Sequence, residues 1–122
     1  MDSERKPRAY RDIIDELVAV CREGQGQIGS RRALAGVWNP HIDASSAPDQ
    51  HAINLLLASL PLADRETVAR MLAQQFVGGV FETLKALETY GVAPFEDGYE
   101  GSPFNDFIGR LAGDWEWPED AG

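Results

Sequence analysis

The chain has 122 residues, with 20 Asp and Glu against 11 Lys and Arg, and a net charge of −9 at neutral pH. That length supports a single domain, 1–122, able to bury a core of its own, and that charge repels nucleic acid and anionic membrane surfaces. The lone cysteine, Cys21, excludes an internal disulfide, and the apolar runs are a handful of residues long, far short of the roughly 20 that a bilayer crossing requires.

Residues 1–8 are charged and no apolar stretch follows them, so they read as a flexible arm and not as a secretion signal. Residues 9–23 read as a helix. Tyr10, Ile13, Ile14, Leu17, Val18 and Cys21 recur at three and four, with Asp12, Asp15, Glu16, Arg22 and Glu23 mostly elsewhere. Cys21 sits on that apolar face and reads as a small buried hydrophobe. Gly24 stops the helix. Ser30 to Ala35 predicts one or two helical turns, with Ser30 as N-cap and Gly36 as stop, and Trp38 to Asp43 predicts a loop.

Ser46-Ala47-Pro48-Asp49 has capping-box spacing and Pro48 suits a first turn. The helix it opens runs to about Ser59, with Ile53, Leu56, Leu57 and Leu60 as its inner stripe. After a tight link over 61–64, a long helix extends to about Tyr90. Its apolar register runs unbroken through Gly78-Gly79, which points to close approach of another helix or a ring there, with a kink as the competing explanation. Ser102-Pro103 starts a last helix, 103–111, which presents Phe104, Phe107, Ile108 and Leu111 on one side and ends at Gly113. Trp115-Glu116-Trp117 alternates ring, charge, ring, so an extended chain turns both indoles one way. No stretch alternates like a strand. The expected fold is all-α: a small bundle of about four to five helices around one long central helix, with an ordered acidic and aromatic C-terminal segment and a disordered end at 119–122.

The charge is uneven. Residues 1–35 carry a net +1, residues 36–95 a net −3, and residues 96–122 a net −7. The basic N-terminal arm is either simple solvated surface or lies near the acidic end, within one molecule or between two. The last segment also holds five rings: Tyr99, Phe104, Phe107, Trp115 and Trp117. Acid groups steer encounter with a basic protein and indoles supply affinity. Rings of this kind also close cores, with the indole N–H bonded at the rim.

The motifs of chemistry are missing. The chain has no nucleophile elbow, no phosphate-binding glycine loop and no dinucleotide fingerprint. His41, Asp43, Asp49 and His51 fall within eleven residues but match no metal-ligand spacing, so no metal, cofactor or catalytic residue is assigned. Asp97, Glu100 and Asp106 flank a glycine-rich turn, where loops often hold function. Asp106 has a simpler purpose as a negative charge near a helix N-terminus.

The string Gly101-Ser102-Pro103-Phe104-Asn105-Asp106-Phe107-Ile108-Gly109-Arg110-Leu111, followed by Trp115-Glu116-Trp117-Pro118, resembles the C-terminal signature of short bacterial helical proteins of no assigned activity. Gly79 to Leu84 and Tyr99-Glu100-Gly101 fit the same pattern. The resemblance spans most of residues 10–118 and implies a bacterial, cytoplasmic setting, with no activity or site to carry over.

Two expectations follow. The first is a non-enzymatic protein-interaction module, immunity-type or regulatory. Its contact surface is Glu100, Asp106, Trp115, Glu116 and Trp117, and its partner is a basic protein. The second is a small-ligand binder or enzyme with a site between the 95–106 loop and the long helix, lined by Glu82, Asp97, Glu100, Asp106 and Arg110. Homo-oligomerisation is a third use of the surface.

Overall fold

Tyr10, Ile14, Val18 and Cys21 repeat along helix α1 (Arg8–Glu23) and all four are buried, which sets the inward face of that helix. The structure is a computed structural model that describes residues 6–99 and 101–120. Its described residues form four further α-helices, α2 (Ile28–Ala35), α3 (Pro48–Ser59), α4 (Leu62–Thr89) and α5 (Pro103–Ala112), plus a one-turn 3-10 segment at Gln25–Gln27. No strand occurs among them. The all-α expectation, with one long central helix, holds.

The 28-residue α4 is the spine. Along its C-terminal half, Phe76, Val77, Val80, Leu84 and Leu87 meet α1, Phe95, Phe107 of α5 and Trp117 in the larger core. Along its N-terminal half, Val68, Ala69 and Leu72 meet Ala33 of α2, Leu57 of α3 and Trp38 in a smaller one.

Local details depart from expectation, each for a physical reason. α2 begins at Ile28, and Ser30 is not its cap: the hydroxyl is buried in the α2–α4 contact and donates to the Ala69 carbonyl at 2.6 Å. α3 begins at Pro48 without a side-chain cap. The Ser46 hydroxyl instead accepts the Asp43 N–H, within a turn where the Asp43 carboxylate takes the N–H groups of Ser45 and Ser46 and the Ser45 hydroxyl. Those bonds, the Ser46 N–H foremost, hold the Asp43 carboxyl down at about 2. Ser102 precedes α5 in an extended conformation but its hydroxyl donates to Glu88, tying α5 to the end of α4.

The expected inner stripe of α3 is the largest local correction. Only Leu57 of that stripe is buried; Ile53 and Leu56 are 36% and 58% exposed, and Leu55 is 60% exposed. What turns inward beside Leu57 is polar. Asn54 accepts the N–H groups of Trp38 and Asn39 at 2.6 and 2.9 Å and donates to the Asn39 carbonyl, and Gln50 accepts from the Asn39 amide. The loop backbone before α3 needs partners, and Asn54 supplies them while Gln50 holds the Asn39 side chain, which turns the apolar residues outward.

Gly78 and Gly79 also differ from expectation. α4 runs through them as one helix, and a Cβ added at either would meet nothing within 4 Å. Neither a helix nor a ring approaches them among the described residues. A glycine in a helix interior costs roughly 1 kcal/mol relative to alanine. Gly78→Ala is therefore expected to raise unfolding free energy by about 0.5–1 kcal/mol, read as a higher urea midpoint at unchanged slope.

Candidate docking groove

The acidic, aromatic C-terminal segment folds back along α1. Trp117 is 2% exposed, sits at 6.1 Å from the Tyr10 ring, and donates its indole N–H to Asp15 at 2.8 Å. Arg110 bonds the other Asp15 oxygen at 3.0 Å, lies over the Trp117 ring and donates to the Trp115 carbonyl. Trp115 is half-buried, edge-on to Trp117 and to Tyr99. Gly109 lets it in: a Cβ there would overlap the Trp115 indole nitrogen. Gly109→Ala is expected to expel the Trp115 ring, read as a red-shifted tryptophan emission with α-helical content kept.

Asp106 is fully buried. One of its oxygens takes the Tyr10 hydroxyl at 2.6 Å and the Tyr99 N–H at 2.8 Å. Gly98 presses on the same carboxylate; a Cβ there would lie 2.5 Å from it. The carboxylate thus links α1, α5 and the 95–102 loop. Burial, then the hydrogen bond to Asp106, then the charges of Asp106 and Asp97, push the Tyr10 phenol well above its ordinary value. A folded-state pKa raised above the unfolded one gives a contribution complete below the unfolded value and lost as pH climbs above it. Stability is therefore expected to fall above about pH 10, with tyrosinate absorbance from Tyr10 appearing only on unfolding.

Of the five residues expected as a contact surface, the structure thus seats Asp106 and Trp117 inside the globule, where their polar atoms have internal partners. Trp115 is half-buried, Glu116 is exposed, and Glu100 lies outside the described residues. The second set does not converge either. Glu82 lies on exposed α4 near Lys85, Asp97 pairs with Lys6, Asp106 with Tyr10, and Arg110 with Asp15. The tail is held by basic residues of the first helix region: Lys6 at Asp97, Arg11 at Glu119 and Asp120, and Arg22 at the Arg110 and Leu111 carbonyls. Glu119 also accepts the Tyr99 hydroxyl.

What stays open lies on α1 and α4. The two helices share the core through Ile14 and Leu84 but diverge outward, and a groove of about 710 Å³ runs between them. Ile13 and Leu17 form one wall. Phe76, Gly79, Val80, Thr83 and Leu87 form the other, and Phe95 closes one end. Gln75 and the Thr83 hydroxyl are the polar side-chain groups in it, and that hydroxyl is already bonded to the Gly79 carbonyl at 2.8 Å. Past Gln75 and Phe76 the groove continues into a recess of about 360 Å³ beside Trp38 and Arg32, whose guanidinium stands 5.3 Å from the indole. Ile13 carried the one sequence signal: it sits at the edge of the apolar face of α1 and is 40% exposed.

Metal chemistry has no assembled site among the described residues: no three His, Cys, Asp or Glu side chains come together. His41 is exposed and His51 half-buried. No helix among the described residues is long and apolar enough to cross a membrane.

No curated protein and no solved structure is detectably similar to this chain. One family model, described as a family of unknown function (DUF6547), matches residues 3–119. With nearly its whole length matched, the chain belongs to that family.

Proposed function

We propose that the chain is a protein-interaction module whose docking face is the α1–α4 groove, and that it accepts an amphipathic helix. The observation that carries this reading is Gly79. A glycine in mid-helix is costly, no group among the described residues fills the space it leaves, and that space opens into an apolar groove. A small residue there lets a second backbone come close. The α4 wall from Gln75 to Leu87 rises about 18 Å, three helical turns. Walls this apolar, with Gln75 and an already bonded Thr83 as their only polar side chains among the described residues, suit a helix, whose backbone needs no outside partners, better than an extended segment, which leaves its N–H and C=O groups unmet. The C-terminal segment serves this face indirectly, by fixing α1 and Phe95 in place.

A photo-crosslinking amino acid placed at Thr83, and separately at Glu116, tests the reading in living cells. Adducts at Thr83 that map to one helix, on residues spaced three and four apart, are expected, with few or none at Glu116. A Thr83 position that yields no protein adduct overturns it.

A further inference from the structure

We propose that the helix received by the groove is α3 of a second copy of this chain, exchanged reciprocally to close a twofold dimer. This rests on the docking reading above and names its partner.

α3 is the helix left without a face to cover. Leu57 and two polar side chains hold it, while Ile53, Leu55 and Leu56 stand in solvent at 36%, 60% and 58% exposure. Its 12 residues rise about 18 Å, the length of the α4 wall. The charges also match. Residues 36–60 contain two Asp and no Lys or Arg, and Asp49 sits exposed in the first turn of α3. The recess at the end of the groove carries exposed Arg32, next to exposed Arg31. Arg31 donates to the Glu23 carbonyl and Arg32 covers Trp38, and neither meets a carboxylate among the described residues. Laying α3 with Asp49 at Arg32 places Leu56 about two turns further along on the same face, toward Gly79 and Val80.

The area suffices. Half the side of a cylinder about 11 Å wide and about 18 Å long is about 300 Å². Each exchange covers one helix and one groove, so two exchanges bury about 1,200 Å², the lower end of stable interfaces. Exchange of helix for groove, done twice, closes without leaving a free end, so it gives a dimer and not a filament.

Light scattering on the full chain, eluted from a sizing column over micromolar to submillimolar loading, reads the mass. The expected value is twice the chain's 13.4 kDa. Leu56→Glu on the exposed face of α3 and Gly79→Trp in the groove are each expected to weaken the dimer about tenfold or more, at unchanged helical circular dichroism. Thr83→Arg, at an exposed position, replaces Gly79→Trp should the indole disturb α4. Mixing the two variants leaves one intact helix and one intact groove, and should restore part of the doubled mass. A wild type that stays at 13.4 kDa at the highest loading overturns the proposal, as does a dimer indifferent to both groove variants, which would mean α3 pairs with α3. A monomer whose Thr83 position still captures a helix of another protein overturns this proposal alone and leaves the docking reading standing.

Discussion

Trp117→Ala is expected to destabilise the chain by about 3–5 kcal/mol, the range for removing a large buried ring. For a domain of this size that is a fall of about 10–20 °C in Tm. Three losses combine. The ring leaves a cavity against Tyr10, Tyr99 and Trp115. Asp15 loses the indole donor, and Arg110 loses the aromatic face beneath it. Trp117→Phe should recover part of the packing and neither polar contact, and so fall between the two. Thermal unfolding followed by circular dichroism separates the three proteins. A tail that merely decorated the surface would give an alanine variant within about 0.5 kcal/mol of wild type.

Asp106→Ala is the second large effect. The Tyr10 hydroxyl and the Tyr99 N–H would both lose their acceptor, at about 1–3 kcal/mol for each buried group left unpaired, so about 3–4 kcal/mol together is expected. Asp106→Asn keeps an oxygen where both donors point and should cost less than half as much. Urea unfolding checks this, with midpoints that drop in the order wild type, asparagine, alanine at a common slope. Because Asp106 anchors the loop that carries Phe95, the alanine variant should also loosen the closed end of the groove. Equal midpoints for alanine and asparagine would mean that the oxygen itself is unimportant.

Much of the scaffold is legible in the residues. α1, α4 and α5 each carry one apolar face in a 3.6-residue period, and glycines stand just past α1, α2 and α5. Periodicity worked there because polar and apolar residues separate cleanly around the helix. It failed for α3, which has apolar residues on more than one side, Ala52, Ile53, Leu55, Leu56 and Leu57 among them, so spacing alone does not select a face. The deciding contacts were Asn54 to the backbone of residues 38 and 39 and Gln50 to the Asn39 side chain, which no local pattern announces. Charge alone left the N-terminal arm either solvated or near the acidic end; Lys6 of the arm reaches Asp97, and Arg11 and Arg22 of α1 hold the rest of the tail. Arg31 and Arg32 stand exposed and away from the tail, Arg31 on the Glu23 carbonyl and Arg32 over Trp38.

The site was harder to read, for two reasons. A charge near a helix N-terminus explains Asp106 locally, whereas its burial depends on Tyr10, 96 residues away. The groove is a space between α1 and α4, lined by residues from three separate segments, so no single stretch of sequence displays it. From residues alone, aromatic density fits either a recognition face or a closed core. In the structure most of that density is spent on the core, and the proposed docking face is made of apolar groups that the core leaves over.

The account divides the chain into a tail that builds and a groove that receives. Hydrogen exchange at the Trp117 indole tests that division most directly, because this N–H is bonded to Asp15 and buried. The prediction is exchange as slow as the slowest backbone amides of α1, governed by global unfolding. An indole proton that exchanges rapidly while α1 stays protected would contradict the account, for the tail would then open on its own and offer its rings to a partner.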